Sequence, residues 1–367
     1  MNAINAGIVA IGRYVPPTVL TNAELETMVD TTDAWIQSRI GVQERHIAAP
    51  EQLSSDLAVL ALSDACRRAG IDPSEIDLVI SGSNTPDHPS PQTACMILRK
   101  AGLDNCVGFD VRAGGCAGSI FALDVGAQYI TSGRYHTVAV VLAEVNSKIT
   151  NWNDRSTCVI LGDGAACYIL RPCRDGSGIV HTTLGNEPSG YFAAYVPNGG
   201  RAQPVTPGNY HDGRQYFVMD GHAVWDFAHQ DLPAVVRKVA RDSGVGLDQA
   251  DVFITHQANR RIIHDLMELI GQPRDKAFVN IERLGNTSSA SVPLALCEAI
   301  DIGRIHPGSM VFCIGFGAGL SYGVSVMRWC APEDFLPPHG GTGAGLANES
   351  SVLKTLSPMK ETEVCHV

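Results

Sequence analysis

Along the chain, short unbroken apolar runs alternate with longer stretches in which apolar residues recur at every third or fourth position. TVAVVLA at 137–143, VFIT at 252–255 and MVFCIG at 310–315 are apolar at nearly every position. Such runs suit strands buried on both faces of a mostly parallel sheet, whereas a strand with one wet face alternates. The periodic stretches between them read as helices. The pattern therefore predicts βαβ units and an α/β fold.

The pattern also repeats. AGIDPSEIDLVIS at 69–81 and SGVGLDQADVFIT at 243–255 align without a gap, each reading as a helix end, a polar turn and a buried strand. Cys116 precedes Gly133-Arg134 by the same spacing that separates Asn286 from Gly303-Arg304, and a buried helix is predicted after each. Gly162-Asp163-Gly164-Ala165 before ACYIL answers Gly315-Phe316-Gly317-Ala318 before SYGVSVM. These matches occur in one order in both halves. They predict a duplicated α/β fold with halves at 1–172 and 173–330, the Gly- and Pro-rich stretch 186–214 being a loop excursion in the second. Residues 331–367, with PPHGGTGAGLANESS, lack an apolar period and read as an appended tail.

Composition narrows the function. With 367 residues, 45% of them hydrophobic, the chain can bury a large core. A formal net charge of −11 argues against nucleic-acid binding, so any anionic partner has to meet a local basic patch. The 11 cysteines show neither CxxC pairs nor zinc-site spacing, which points to reduced thiols, no metal and a cytoplasmic location. No charged leader precedes the first apolar run, and no stretch reaches the ~20 apolar residues of a membrane span.

Three residues stand out chemically. Cys116 lies in AGGCAGSIFAL, where glycines permit a tight turn into a buried helix. A thiol at a helix N-terminus is favoured as thiolate, the form that attacks a thioester carbonyl, although most single cysteines among 11 are small core residues. His256 follows the strand VFIT directly in THQANRR, at the carboxyl end of a predicted parallel strand, where α/β folds bind ligands; a hydrogen-bonded structural histidine is the competing reading. Asn286 in RLGNTSSASVP holds the repeat position of Cys116, so pseudo-symmetry would bring the two helix starts together; an N-cap is the plainer role. The cluster GFGAG at 315–319 offers backbone N–H groups, and no GxGxxG with a downstream acid marks a dinucleotide site.

Together, VDTTDAWIQSRIGVQERHIA, the Cys116 turn, GDGAACYIL, THQANRRI, RLGNTSSASVPLAL and GFGAG resemble the β-ketoacyl-acyl carrier protein synthase III family of the thiolase superfamily, over about residues 5–330. The resemblance implies a thiolase-like fold of two pseudo-symmetric halves and a homodimer. It implies Cys116 as acyl-accepting nucleophile, His256 and Asn286 as supporters of malonyl decarboxylation, and the backbone of Cys116, Gly317 and Ala318 as oxyanion donors. Trp35, Arg39 and Arg155 match coenzyme A nucleotide positions, and Arg261, beside Arg260, matches a docking position for the acidic acyl carrier protein. The implied partners are an acyl-CoA primer and malonyl-CoA or malonyl carrier protein, with no cofactor. Ser119 and Ser90 stand where the family commonly has an aromatic and an apolar, partner-facing residue. An acyl site enlarged or made more polar in this way predicts a primer larger or more polar than acetyl. Acyl transfer to a hydroxyl or amine without decarboxylation, or a non-catalytic ketosynthase partner subunit, are the alternatives; retention of Cys116 argues against the second.

Overall fold

The computed structural model describes residues 4–337. The apolar runs become two five-stranded sheets. The first contains β1 (Ile4–Tyr14), β2 (Leu78–Gly82), β3 (Val107–Asp110), β4 (Val138–Glu144) and β5 (Gly164–Arg174), in spatial order β3–β2–β4–β5–β1. The second contains β6 (Gly178–Asn186), β7 (Val252–Thr255), β8 (Ala277–Phe278), β9 (Met310–Gly317) and β10 (Ser321–Arg328), in spatial order β8–β7–β9–β10–β6. In each sheet the first three strands run parallel and the remaining pairings are antiparallel. One topology is thus used twice, in the same chain order.

Strand alternation sorts the apolar residues into layers. Leu78 and Ile80 of β2, with Val252, Ile254, Val311 and Cys313 of β7 and β9, face a central core that also holds helices Gly118–Thr131 and Ser291–Asp301. Val79 faces the other way, onto helix Ser54–Ala69, and Phe253, Phe312 and Ile314 onto helices Leu232–Ser243 and Arg260–Leu269. The order is therefore helix, sheet, two central helices, sheet, helix. Both faces of both sheets are covered, which is why the strands read as unbroken apolar runs. The central helices are wrapped on all sides; residues Ser291–Ala299 are buried without a break. Gly126 lets its helix approach the first sheet, since a methyl group there would lie 2.8 Å from Val140 Cγ2.

The repeat spacing holds at the helix ends and not at their starts. The first central helix has 14 residues and the second 11, so equal distances to Gly133 and Gly303 align the C-termini only. Cys116 sits in a tight turn, Gly115–Ala117, directly before its helix. Asn286 instead lies in an extended bridge with Leu161, followed by the turn Ser288–Ala290. Asn286 keeps the spacing of Cys116, and the turn Ser288–Ala290 takes the place of the opening turn of the first central helix, so its own helix begins five residues on instead of two.

The excursion after β6 is organised: a helical turn at Pro188–Ala193 leads into Ala194–Tyr195, which pairs with Val218–Met219. Of the segment read as a tail, Phe335 bridges to Cys173 and the Leu336 N–H bonds to the Pro172 carbonyl; residues 338–367 lie outside the described residues. Among the described residues, no helix is long and apolar enough to cross a membrane, and no group of three or more His, Cys, Asp or Glu could hold a metal ion.

Candidate active site

Cys116, His256 and Asn286, far apart in sequence, line one cavity of about 380 Å³ at the carboxyl ends of the parallel strands. Its walls are mostly apolar, with Ile149, Phe217, Trp225 and Ile262 among them. The tyrosine and methionine of the paired segments after β6, Tyr195 and Met219, close one side.

The nucleophile turn depends on glycine. Gly114 and Gly115 take φ of 76° and 52°, the left-handed region that costs a side chain free energy. The turn is pressed against the end of β9: a methyl group at Gly317 would lie 2.7 Å from the Cys116 amide nitrogen, and one at Gly115 would lie 2.8 Å from that of Ala318. The backbones named as oxyanion donors are therefore neighbours at the thiol. Burial pushes the Cys116 thiol up to about 11, with a hydrogen bond from Ser288 acting downward and the Glu144 carboxylate acting upward. Burial thus favours the thiol, against the thiolate that a helix N-terminus by itself would favour.

His256 is 2% exposed, and burial drives its pKa down to about 3, so the imidazole is neutral. Its Nδ1 lies 2.6 Å from Ser291 Oγ. That oxygen also accepts from the Gln257 N–H at 3.4 Å, and its own proton is free to be donated to Nδ1. Nδ1 then accepts, and the ring's proton resides on Nε2 as a donor. Asn286 is oriented in a similar way. The Ser288 N–H donates to Asn286 Oδ1 at 2.8 Å, so the amide NH₂ is the end left to donate elsewhere. Its backbone is pinned on both sides, N–H to the Ile160 carbonyl at 2.8 Å and C=O from the Gly162 N–H at 3.0 Å. The site thus presents a thiol and two neutral N–H donors in one apolar enclosure.

The remaining sequence candidates lie elsewhere. Trp35 and Arg39 are on helix Asp33–Arg39, whose C-terminal end is held by Asn259 Nδ2 donating to the Arg39 carbonyl at 3.0 Å. Asn259 itself lines the cavity, which places this helix near the rim. The Arg155 guanidinium stacks 5.0 Å from the Trp35 ring centre and also bonds the Asp30 carbonyl. Arg260 is half-buried and donates to the Gln37 carbonyl, whereas Arg261 is exposed and lies 5.3 Å over Trp225. Arg261 is thus the more exposed of the pair. Ser119 is fully buried with no hydrogen-bond partner for its hydroxyl among the described residues, and Ser90 is exposed. Neither lines the cavity.

Sequence reasoning passed over Ser288, Ser291, Asn84 and Glu144. Two of them stood inside the quoted GNTSSASVP motif, but three serines and a threonine in one loop carry no signal as to which face the chemistry.

Comparison with known proteins follows the same residues. Residues 109–188 match the family described as 3-oxoacyl-[acyl-carrier-protein (ACP)] synthase III, and residues 240–329 match its C-terminal counterpart. The chain is 41% identical over 323 residues to a β-ketoacyl-[acyl-carrier-protein] synthase III of Symbiobacterium thermophilum, covering 88% of this chain and 98% of that protein. It superposes on 3-oxoacyl-[acyl-carrier-protein] synthase III of Aquifex aeolicus with a TM-score of 0.81 and 36% identity, covering 88% of this chain and all of the other. The priming β-ketosynthase of the R1128 polyketide biosynthetic pathway gives a TM-score of 0.82 and 33% identity, over 89% of this chain and 97% of that one.

Proposed function

Because the chain belongs to the β-ketoacyl-acyl carrier protein synthase III family of thiolase-fold acyltransferases, we propose that it joins an acyl thioester to a malonyl thioester by decarboxylative Claisen condensation with Cys116, His256 and Asn286 as the working groups. The observation that carries this reading is the convergence of one thiol and two oriented neutral donors on a single apolar cavity.

The steps follow from these groups. Cys116 sulfur attacks the acyl-CoA carbonyl, the coenzyme A sulfur departs carrying the thiol proton in net balance, and an acyl-Cys116 thioester remains. Backbone N–H groups of Cys116 and of the Gly317–Ala318 turn hold the tetrahedral oxyanion. The malonyl thioester then enters with its carbonyl oxygen toward His256 Nε2–H and Asn286 Nδ2–H. These donors stabilise the enolate as carbon dioxide leaves. Its carbon attacks the acyl-Cys116 carbonyl, and the β-ketoacyl thioester is released with Cys116 as thiolate, which takes up a proton. A neutral imidazole is the right form for this role, since it donates without competing for the carboxylate that must depart.

A cavity of about 380 Å³ is at the small end of ligand pockets and suits a slender pantetheine arm. The nucleotide then stays outside, where the Trp35 ring and the Arg155 and Arg39 guanidinium groups offer stacking and phosphate pairing. Exposed Arg261 supplies the positive contact for an acidic carrier protein on a chain of net charge −11. The malonyl group is carried by that protein or by coenzyme A. We further propose a homodimer through the free edge of the first sheet. There Val107 of β3 is 49% exposed, and Gln92 ties the segment containing Ser90 to the Gly108 carbonyl. Ser90 would then face the partner's acyl site, which accounts for its exposure in one chain. A polar Ser90 in that place favours a primer larger or more polar than acetyl. The ten described cysteines are all free, as a cytoplasmic enzyme requires.

The test is intact mass after incubation with a panel of acyl-CoA thioesters. A mass gain absent from Cys116→Ala supports the acyl carrier and identifies the primer by its increment; carbon dioxide released from a malonyl thioester supports condensation over simple acyl transfer. No acylation by coenzyme A or carrier-protein thioesters would refute it.

A further inference from the structure

The geometry around Cys116 points to a fourth working group: we propose that the Ser288 hydroxyl donates to the Cys116 sulfur as it becomes thiolate, and that Asn84, anchored on buried Glu144, holds Ser288 in that role. This rests on Cys116 being the acyl carrier.

Ser288 Oγ lies 3.5 Å from Cys116 Sγ, within reach of the large sulfur atom. Asn84 Nδ2, its two protons shared among three acceptors, reaches the same oxygen at 3.0 Å, and a hydroxyl that accepts there is free to point its own proton at sulfur. Asn84 cannot turn away. Its Nδ2 also bonds Glu144 Oε1 at 2.8 Å and the Gly115 carbonyl at 3.2 Å, and its backbone N–H bonds the same carboxylate. Glu144 is fully buried without a cationic partner among the described ion pairs. Burial raises the pKa of its carboxyl, and N–H and O–H donors from Ser289, Asn84 and Thr85 act the other way. Such a group costs free energy to bury, and here it anchors the segments on both sides of the nucleophile.

Ser288 carries a second mark. It is the one non-glycine residue with positive φ among the described residues, at 51°. That conformation is unfavourable for serine and persists only where the surroundings impose it. It turns the Ser288 N–H to Asn286 Oδ1 while its hydroxyl faces Cys116. One residue thereby serves both half-reactions. The hydrogen bond acts downward on a thiol that burial otherwise raises.

The readout is the pH profile of Cys116 alkylation by iodoacetamide, in which thiolate displaces iodide to form the S-carbamidomethyl group, followed at the Cys116 peptide by mass spectrometry. Ser288→Ala should move the profile upward by about one pH unit, slowing alkylation about tenfold at a fixed pH below the midpoint. Ser288→Gly, which tolerates the left-handed backbone, serves if the alanine variant folds poorly. Asn84→Ala should shift the profile the same way and add little in the Ser288→Ala background. An unchanged or downward-shifted profile in Ser288→Ala and Ser288→Gly overturns the proposal, and additive shifts overturn the part assigned to Asn84. A wild-type Cys116 that takes no acyl group would instead sink the function itself, a separate result.

Discussion

Removing the Ser291 hydroxyl should disable condensation while sparing acylation. In Ser291→Ala, His256 Nδ1 loses a 2.6 Å hydrogen bond inside a buried site. Leaving that nitrogen unpaired costs about 1–3 kcal/mol, and nothing then favours the tautomer with the proton on Nε2. The donor to the enolate is lost in part of the population and mis-aimed in the rest. A penalty of that size corresponds to a decarboxylation rate about 10- to 100-fold lower. Acyl transfer to Cys116 makes no use of the Nε2 proton and should continue at close to the parent rate. The two half-reactions are separable: intact mass against time for acyl-Cys116 formation, and carbon dioxide release from a malonyl thioester by pre-acylated enzyme. Equal losses in both halves would mean that Ser291 merely supports the fold, and no loss in either would mean that the tautomer is set elsewhere. Either outcome refutes the reasoning.

Gly317→Ala should place a methyl group 2.7 Å from the Cys116 nitrogen and push the nucleophile turn aside; an overpacking cost of about 1–3 kcal/mol carried into the acylation step should slow intact-mass acylation about 5- to 150-fold. Folding stability should fall in mild acid through His256. Its pKa is lowered from 6.5 to about 3, so the unfolded chain binds a proton there that the folded chain refuses, and the loss grows as pH drops from 6.5 towards 3. At pH 5 this amounts to about 2 kcal/mol, and urea midpoints at pH 7.5 and 5 should differ less in His256→Asn than in the parent. Arg261→Glu should raise the KM for a carrier-protein substrate several-fold and weaken its salt dependence, leaving the KM for an acyl-CoA primer unchanged. In Arg260→Glu, by contrast, thermal stability should drop as well, because Arg260 holds the Gln37 carbonyl.

Much of the architecture was legible before any coordinates. Unbroken apolar runs signalled strands covered on both faces, and the repeated strings at 69–81 and 243–255 each end in the central parallel strand of a sheet, β2 and β7. The special residues at strand ends and tight turns, Cys116 and His256, were visible because a glycine-flanked cysteine and a histidine directly after an apolar strand break the local pattern. The depth of the cavity and its proton chemistry were not legible. Whether Cys116 rests as thiol or thiolate depends on how completely the packed layers exclude water, a property of the assembled fold. Which nitrogen of His256 carries its proton depends on Ser291, 35 positions away in the chain and 2.6 Å away in space. Spacing aligned the central helices at their C-termini and left unread that the turn Ser288–Ala290 replaces the opening turn of the second one. Periodicity and local composition determine which segments are strand or helix and which face is apolar, because those depend on neighbours in the chain. Burial, tautomers and hydrogen-bond partners are set by neighbours in space, and only the tertiary structure decides who those are.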